Sequence, residues 1–272
     1  MAGEDVRALE RRNASSWFSL LFVLAIGCGA YFGEALPSAV YLLGFWHYYL
    51  YWLAFHFRSI PLDVFKRDAM AMKAVAIAPL AASYLTTPVD LVSLAVIVCG
   101  ILLNISAAAV LGADRTYYGR EVANLPPRQI KAFPYSLTAH PMLIGNVAAF
   151  GGALINPEFR DQWWPLAGAH VVLNFGLLLM ELAPPRHGST PGARLAGGMN
   201  DPRTIPIGCA IAAVGGALGA ALGQIEGWNV GALPGFVLGA SVFGYAFALY
   251  ACYAPSASAY GARQDIVMKG AP

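Results

Sequence analysis

The sequence predicts an all-α fold, a polytopic bundle of about eight transmembrane helices with both termini in the cytoplasm. Three observations carry this reading. Hydrophobic residues make up 58% of the 272 positions and charged residues 12%, with a mean hydropathy of +0.56, whereas a soluble domain carries roughly 25% charged residues. The apolar residues gather in runs of about 20, the length a helix needs to cross a bilayer. Once these runs are marked as spans, every one of the 17 Lys and Arg residues except Arg160 falls on alternate connecting segments. Cytoplasmic loops retain positive charge during insertion, so the alternation sets orientation as well as count.

The N-terminal segment 1–15 carries Arg7, Arg11 and Arg12. It is too charged for a cleavable signal and reads as a short amphipathic helix on the cytoplasmic surface. Trp17–Leu36 is the first span and Ala39–Phe57 the second, the latter holding Trp46, Tyr48, Tyr49, Tyr51 and Trp52 as an interfacial aromatic belt. Arg58, Lys66, Arg67 and Lys73 mark the next cytoplasmic loop region, around the start of the third span, Ala69–Thr86. Leu91–Gly112 is the fourth span, followed by the polar stretch Asp114–Phe133 with Arg115, Arg120, Arg128 and Lys131. The fifth, Pro141–Ile155, is short unless it begins near Phe133–Leu137, and the sixth is Trp164–Ala183. Arg186, Arg194 and Arg203 lead to the seventh, Ile205–Gly223; the eighth is Val230–Tyr253, before Arg263 and Lys269.

The last two spans repeat glycine at every fourth position, Gly215, Gly219 and Gly223 against Gly231, Gly235 and Gly239. Small residues at that spacing let helix backbones approach closely in lipid. With a short connection, these spans form an antiparallel hairpin without ionisable residues, an accessory unit within residues 191–272. The hairpin over 205–253 also offers a face to a second copy or a complex partner. Residues 16–190 are then the functional core. Cys28, Cys99, Cys209 and Cys252 lie singly in apolar runs and read as packing residues, so no metal site is expected. A net charge of +2 without basic clusters between aromatics excludes a nucleic-acid partner.

Chemistry concentrates in the middle of the chain. His140-Pro141 marks a helix entry, where proline fits the first turn and unpaired N–H groups favour an anion. His140 either binds that anion or caps the helix at headgroup level. In the sixth span His170, Asn174 and Glu181 share one face. Asn104 and Asn146 are expected to hydrogen-bond between helices inside the bundle. Polar groups in spans face the bundle interior and are functional candidates by default. Glu181 closes its span on the side that His140 enters from, so a carboxylate, a histidine and a helix start converge on one membrane face.

At these residues the chain resembles the integral-membrane phospholipid methyltransferases, whose best-known member is phosphatidylethanolamine N-methyltransferase. The resemblance runs through DRTYYGREV, FPYSLTAHPMLIGN and LLLME, within about Leu91–Arg186. More distantly, the chain is similar to isoprenylcysteine carboxyl methyltransferase, which has Arg where Ala139 stands before His140-Pro141. The resemblance implies S-adenosylmethionine bound between helices at the cytoplasmic face and a membrane lipid as substrate. The reaction implied is methyl transfer to the headgroup amine of phosphatidylethanolamine or its methylated forms. His140 and Glu181 would be the catalytic pair. Gly100, Tyr117, Tyr118, Gly119, Pro141, Met142 and Gly145 would surround the cofactor with them, and Arg115 and Arg120 would meet the headgroup phosphate. Three departures stand out: Met180-Glu181 replaces the family's paired carboxylates, Cys99-Gly100 replaces its Gly-x-Gly, and the C-terminal hairpin is unlike the short members of the family. A non-catalytic subunit that keeps the fold is the alternative from another class. A methyltransferase for a thiol or another small amphiphile is a third.

Overall fold

The computed structural model of the protein describes residues 40–41, 43–57, 60–126, 128–182, 204–226 and 230–253, which contain helices, turns and irregular segments but no strand. The expected first span, Trp17–Leu36, and the segments carrying Arg7, Arg186 and Arg263 lie outside the described residues.

Helix α1 spans Trp46–Phe57. The expected continuous span from Ala39 is interrupted, because a turn at Gly44–Phe45 separates α1 from the helical residues before it. A side chain on Gly44 would press on the Val40 carbonyl at 3.1 Å and the His170 ring at 3.4 Å. Helix α2 runs Leu62–Leu85 and starts seven residues before the expected span. Its sequence is rich in Ala, Met and Leu, strong helix formers that carry the helix through Lys66, Arg67 and Lys73. Those three residues therefore belong to a helix and not to a loop.

Helix α3, Leu91–Leu111, is capped by Asp90, whose carboxylate accepts from the Ser93 amide at 2.7 Å. Its buried residues are Ser93, Gly100 and Ala107, one small residue every two turns, while Leu91, Leu102 and Ile105 point outward. That narrow small-residue stripe is the seam against α6, Pro141–Ala153. The start of α6 falls at Pro141, because 133–137 are turns. At 13 residues it is about 20 Å long, short of the roughly 30 Å hydrocarbon core. The brief helices α4, Ala113–Thr116, and α5, Gly119–Ala123, lie between α3 and α6 in the chain.

Helix α7, Pro157–Leu182, is the central element, burying Phe159, Trp163, Leu166, His170, Leu173, Asn174, Leu177 and Met180. Asn156 caps its start, accepting from the Glu158 and Phe159 amides at 3.1 and 3.3 Å, and donates to the Pro88 carbonyl at 2.9 Å. Helices α8, Thr204–Leu222, and α9, Ala232–Tyr253, form the expected hairpin. Gly215, Gly219 and Gly223 meet Gly239, Gly235 and Gly231 so closely that a Cβ on any of them except Gly231 would strike the opposing backbone. The glycine faces are therefore engaged with each other inside the chain. The hairpin also packs on the core, where Tyr49 donates to the Ser241 carbonyl at 2.7 Å. Among the described residues, α2, α3 and α7 are long and apolar enough to cross a membrane, and α6, α8 and α9 contain shorter apolar stretches.

Candidate functional site

The short α6 creates the site. Asn104 donates to the Met142 carbonyl at 3.0 Å, which fixes the start of α6 opposite the Asn104 turn of α3. Leu111 ends α3 seven residues later, so the entry of α6 is recessed by about 10 Å. Sequence reasoning left His140 open between binding an anion and capping the helix at headgroup level; the structure sets it inside a hollow between helices. The hollow is a cavity of about 410 Å³, within the range of small-molecule sites.

His140 and Glu181, 41 residues apart, meet at this cavity: His140 Nδ1 lies 2.9 Å from Glu181 Oε2. Both side chains are about three-quarters buried. The hydrogen bond to the carboxylate raises the His140 pKa, against the opposing effect of burial. Nearby Tyr135 also lines the cavity, and burial, followed by the charge of Glu181, pushes its phenol up. No side chain caps α6, so its first N–H groups are unpaired within the helix at the cavity wall.

Of the other residues singled out from the sequence, Arg115, Tyr118, Arg120, Pro141 and Met142 line the cavity. Tyr118 adopts a left-handed backbone at φ 55°, a conformation that costs a non-glycine residue about 1–2 kcal/mol. Its ring is held by Phe55, Tyr51 and Phe65, with centroids at 5.1, 5.7 and 6.3 Å. Tyr117 and Gly119 lie behind the lining. Tyr117 stacks on Tyr51 at 6.3 Å, and Gly119 leaves no room for a Cβ beside the Asp114 carbonyl. Lys66 pairs with Asp114 and thereby ties α2 to α4. Gly100 and Gly145 are also away from the cavity, because they form the closest approach of α3 and α6. A Cβ on Gly100 would lie 2.6 Å from the Gly145 carbonyl, and one on Gly145 would lie 2.6 Å from the Gly100 carbonyl. Met180, beside Glu181, is packed in the core with 1% exposure and does not face the cavity.

Sequence reasoning missed Tyr48, which is buried rather than part of an interfacial belt. Its hydroxyl lies 2.9 Å from His170 Nδ1 and accepts from Asn174 at 2.7 Å. Asn146 donates to Asn174 at 3.0 Å, and Asn104 donates to Asn146 at 2.9 Å. This ladder joins α1, α7, α6 and α3 across the bundle interior and satisfies polar groups that lipid would leave unpaired. The expected interhelical role of the two asparagines is what the structure displays. Also missed were His47 and Lys73, both of which line the cavity, as does Arg128. The lining thus carries Lys73, Arg115, Arg120, Arg128 and His140 against a single carboxylate, Glu181, among the described residues.

Apolar helices of membrane-crossing length around a cation-rich cavity define a helical membrane protein. Residues 89–182 match the family described as phospholipid methyltransferase. That segment runs from the turn before α3 to the end of α7 and contains both His140 and Glu181. Comparison with curated proteins and with solved structures finds no match.

Proposed function

We propose that the protein is an S-adenosylmethionine-dependent methyltransferase that acts on the headgroup amine of a membrane phospholipid, phosphatidylethanolamine or its methylated forms. The observation that carries this reading is the His140–Glu181 contact on a recessed cavity inside the family-matching segment. The donor set fits the cofactor: a carboxylate suits an α-ammonium, while a helix start and cationic side chains suit a carboxylate. When bound, S-adenosylmethionine supplies an activated methyl group on a sulfonium.

The chain's own task is alignment, exclusion of water and removal of a proton. Glu181 accepts hydrogen bonds from an ammonium at the mouth of the cavity, and His140 keeps that carboxylate oriented. Arg115, Arg120 and Arg128 hold the lipid phosphate. A headgroup ammonium must lose a proton before it can attack, and Glu181 or neutral His140 takes it directly or through water. The cytoplasmic face is the working face in this reading. Lys66, Arg67, Arg115, Arg120, Arg128 and Lys131 gather at the cavity end, whereas Asp90, Glu158 and Asp161 accompany Arg160 at the other end.

The test is transfer of labelled methyl from S-adenosylmethionine to phosphatidylethanolamine in mixed micelles, with the lipid products separated by chromatography. Labelled mono-, di- or trimethylated headgroup, lost in Glu181→Gln, is the expected result. Cofactor binding without any labelled phospholipid would remove the lipid amine as acceptor.

A further inference from the structure

We propose that Lys73 and His47 form an anion-binding subsite on the floor of this cavity, built by helices outside the family-matching segment. The proposal deepens the methyltransferase reading by adding a recognition site for an anionic group of one of its ligands. That chemistry belongs to two sources, the phosphate of the lipid headgroup and the carboxylate of the cofactor.

The argument begins with depth. Lys66 meets Asp114 near the mouth, and Lys73 follows seven residues along α2, about 10 Å further in. His47 lies ten residues before the end of α1, about 15 Å in. Lys73 lies eleven residues after the start of α2, about 16 Å in. The two side chains therefore sit at matching depths on successive helices, and both line the cavity.

Next comes satisfaction. Lys73 makes no hydrogen bond or ion pair with another described residue. The only carboxylate lining the cavity among those residues is already bonded to His140. An ammonium withdrawn from water without a partner is costly. Here it interrupts the stretch Ala69–Ala78, otherwise made of Ala, Met, Val and Ile, where Met or Leu would fold at least as well. His47 is 4% exposed, and its Nδ1 has no hydrogen-bond partner. Its ring is fixed by Tyr48 at 4.1 Å and His170 at 6.1 Å. The lysine ammonium lines the cavity without a partner among the described residues, His47 lines the same cavity, and an anion supplies the missing acceptor. A charged group in a span that the core does not need is a functional position.

The experiment uses the full-length protein in detergent, as wild type, Lys73→Met, Lys73→Arg and His47→Phe. Calorimetry compares S-adenosylmethionine with its decarboxylated analogue, and a fluorescence titration follows phosphatidylethanolamine in mixed micelles. If the anion is the cofactor carboxylate, Lys73→Met weakens S-adenosylmethionine about tenfold or more and leaves the decarboxylated analogue unchanged. If it is the phosphate, Lys73→Met weakens the lipid and spares the cofactor. In both cases Lys73→Arg keeps most of the affinity, and His47→Phe shifts the same ligand as Lys73→Met. Without ligand, Lys73→Met melts at or above wild type, since an unpaired charge has been removed. Unchanged affinity for both ligands, or a ligand-free Lys73→Met that melts well below wild type, overturns the proposal. Wild-type protein that binds neither ligand would sink the methyl-transfer reading. The anion site would still stand if inorganic phosphate stabilised wild type and not Lys73→Met.

Discussion

Gly145→Ala is the change whose cost the geometry sets most directly. The added Cβ would sit 2.6 Å from the Gly100 carbonyl oxygen and 3.0 Å from the Asn104 amide, where ordinary contact begins at 3.4 Å. Both neighbours are helix backbone and cannot rotate away, so α3 and α6 must separate by about 0.8 Å. The Asn104 bonds to the Met142 carbonyl and Asn146, now 3.0 and 2.9 Å, then stretch to about 3.8 and 3.7 Å and are lost. Overpacking costs about 1–3 kcal/mol, two interhelical hydrogen bonds about 0.6 kcal/mol each, and replacing helical glycine by alanine returns about 1 kcal/mol. The net destabilisation is about 1–3 kcal/mol, read as a shift in equilibrium unfolding in mixed detergent and SDS micelles. Gly151→Ala, six residues along α6, is the internal control, because nothing lies within 4 Å of its Cβ. It should be neutral, or stabilising by up to about 1 kcal/mol. A Gly145→Ala protein within about 0.5 kcal/mol of wild type would refute the close-contact argument.

Other outcomes follow from the same contacts. Because Glu181 raises the His140 pKa, the charged pair contributes its full stability below pH 6.5 and loses it as pH rises through the raised value. Histidine NMR titration should place His140 above 6.5 in wild type and lower in Glu181→Gln, and equal midpoints would contradict the pairing. Tyr48→Phe removes the hydroxyl shared by His170 and Asn174 and should destabilise the bundle by about 1–2 kcal/mol in the same unfolding assay. Gly119→Ala drives a Cβ into the Asp114 carbonyl, so the Lys66–Asp114 tie should loosen. Faster proteolysis between 114 and 126 would report it, and an unchanged cleavage rate would count against that strut.

Much of the fold was legible because lipid imposes simple rules. Glycine at every fourth position forces close helix approach, and the α8–α9 hairpin forms at the glycines the spacing marks. His140 and Glu181 were legible for a similar reason: a His-Pro helix entry and a carboxylate at a helix end are positional signals. The recess of α6 was not, because it depends on Asn104 meeting Met142, a long-range bond without a local signature. Tyr48 was misread because a row of aromatics looks the same whether it faces headgroups or meets a buried histidine on another helix. Lys73 was assigned to a loop by its charge, although the alanines and methionines around it carry α2 straight through. Gly100 shows a different ambiguity. A small residue near a site serves either ligand approach or helix approach, and only the partner backbone of Gly145 tells which.

The central claim is that His140 and Glu181 form a cofactor site, and calorimetric titration of S-adenosylmethionine into the detergent-purified protein tests it most directly. The account predicts saturable binding in wild type that weakens about tenfold or more in both Glu181→Ala and His140→Ala. Folded wild-type protein that takes up no S-adenosylmethionine would contradict it.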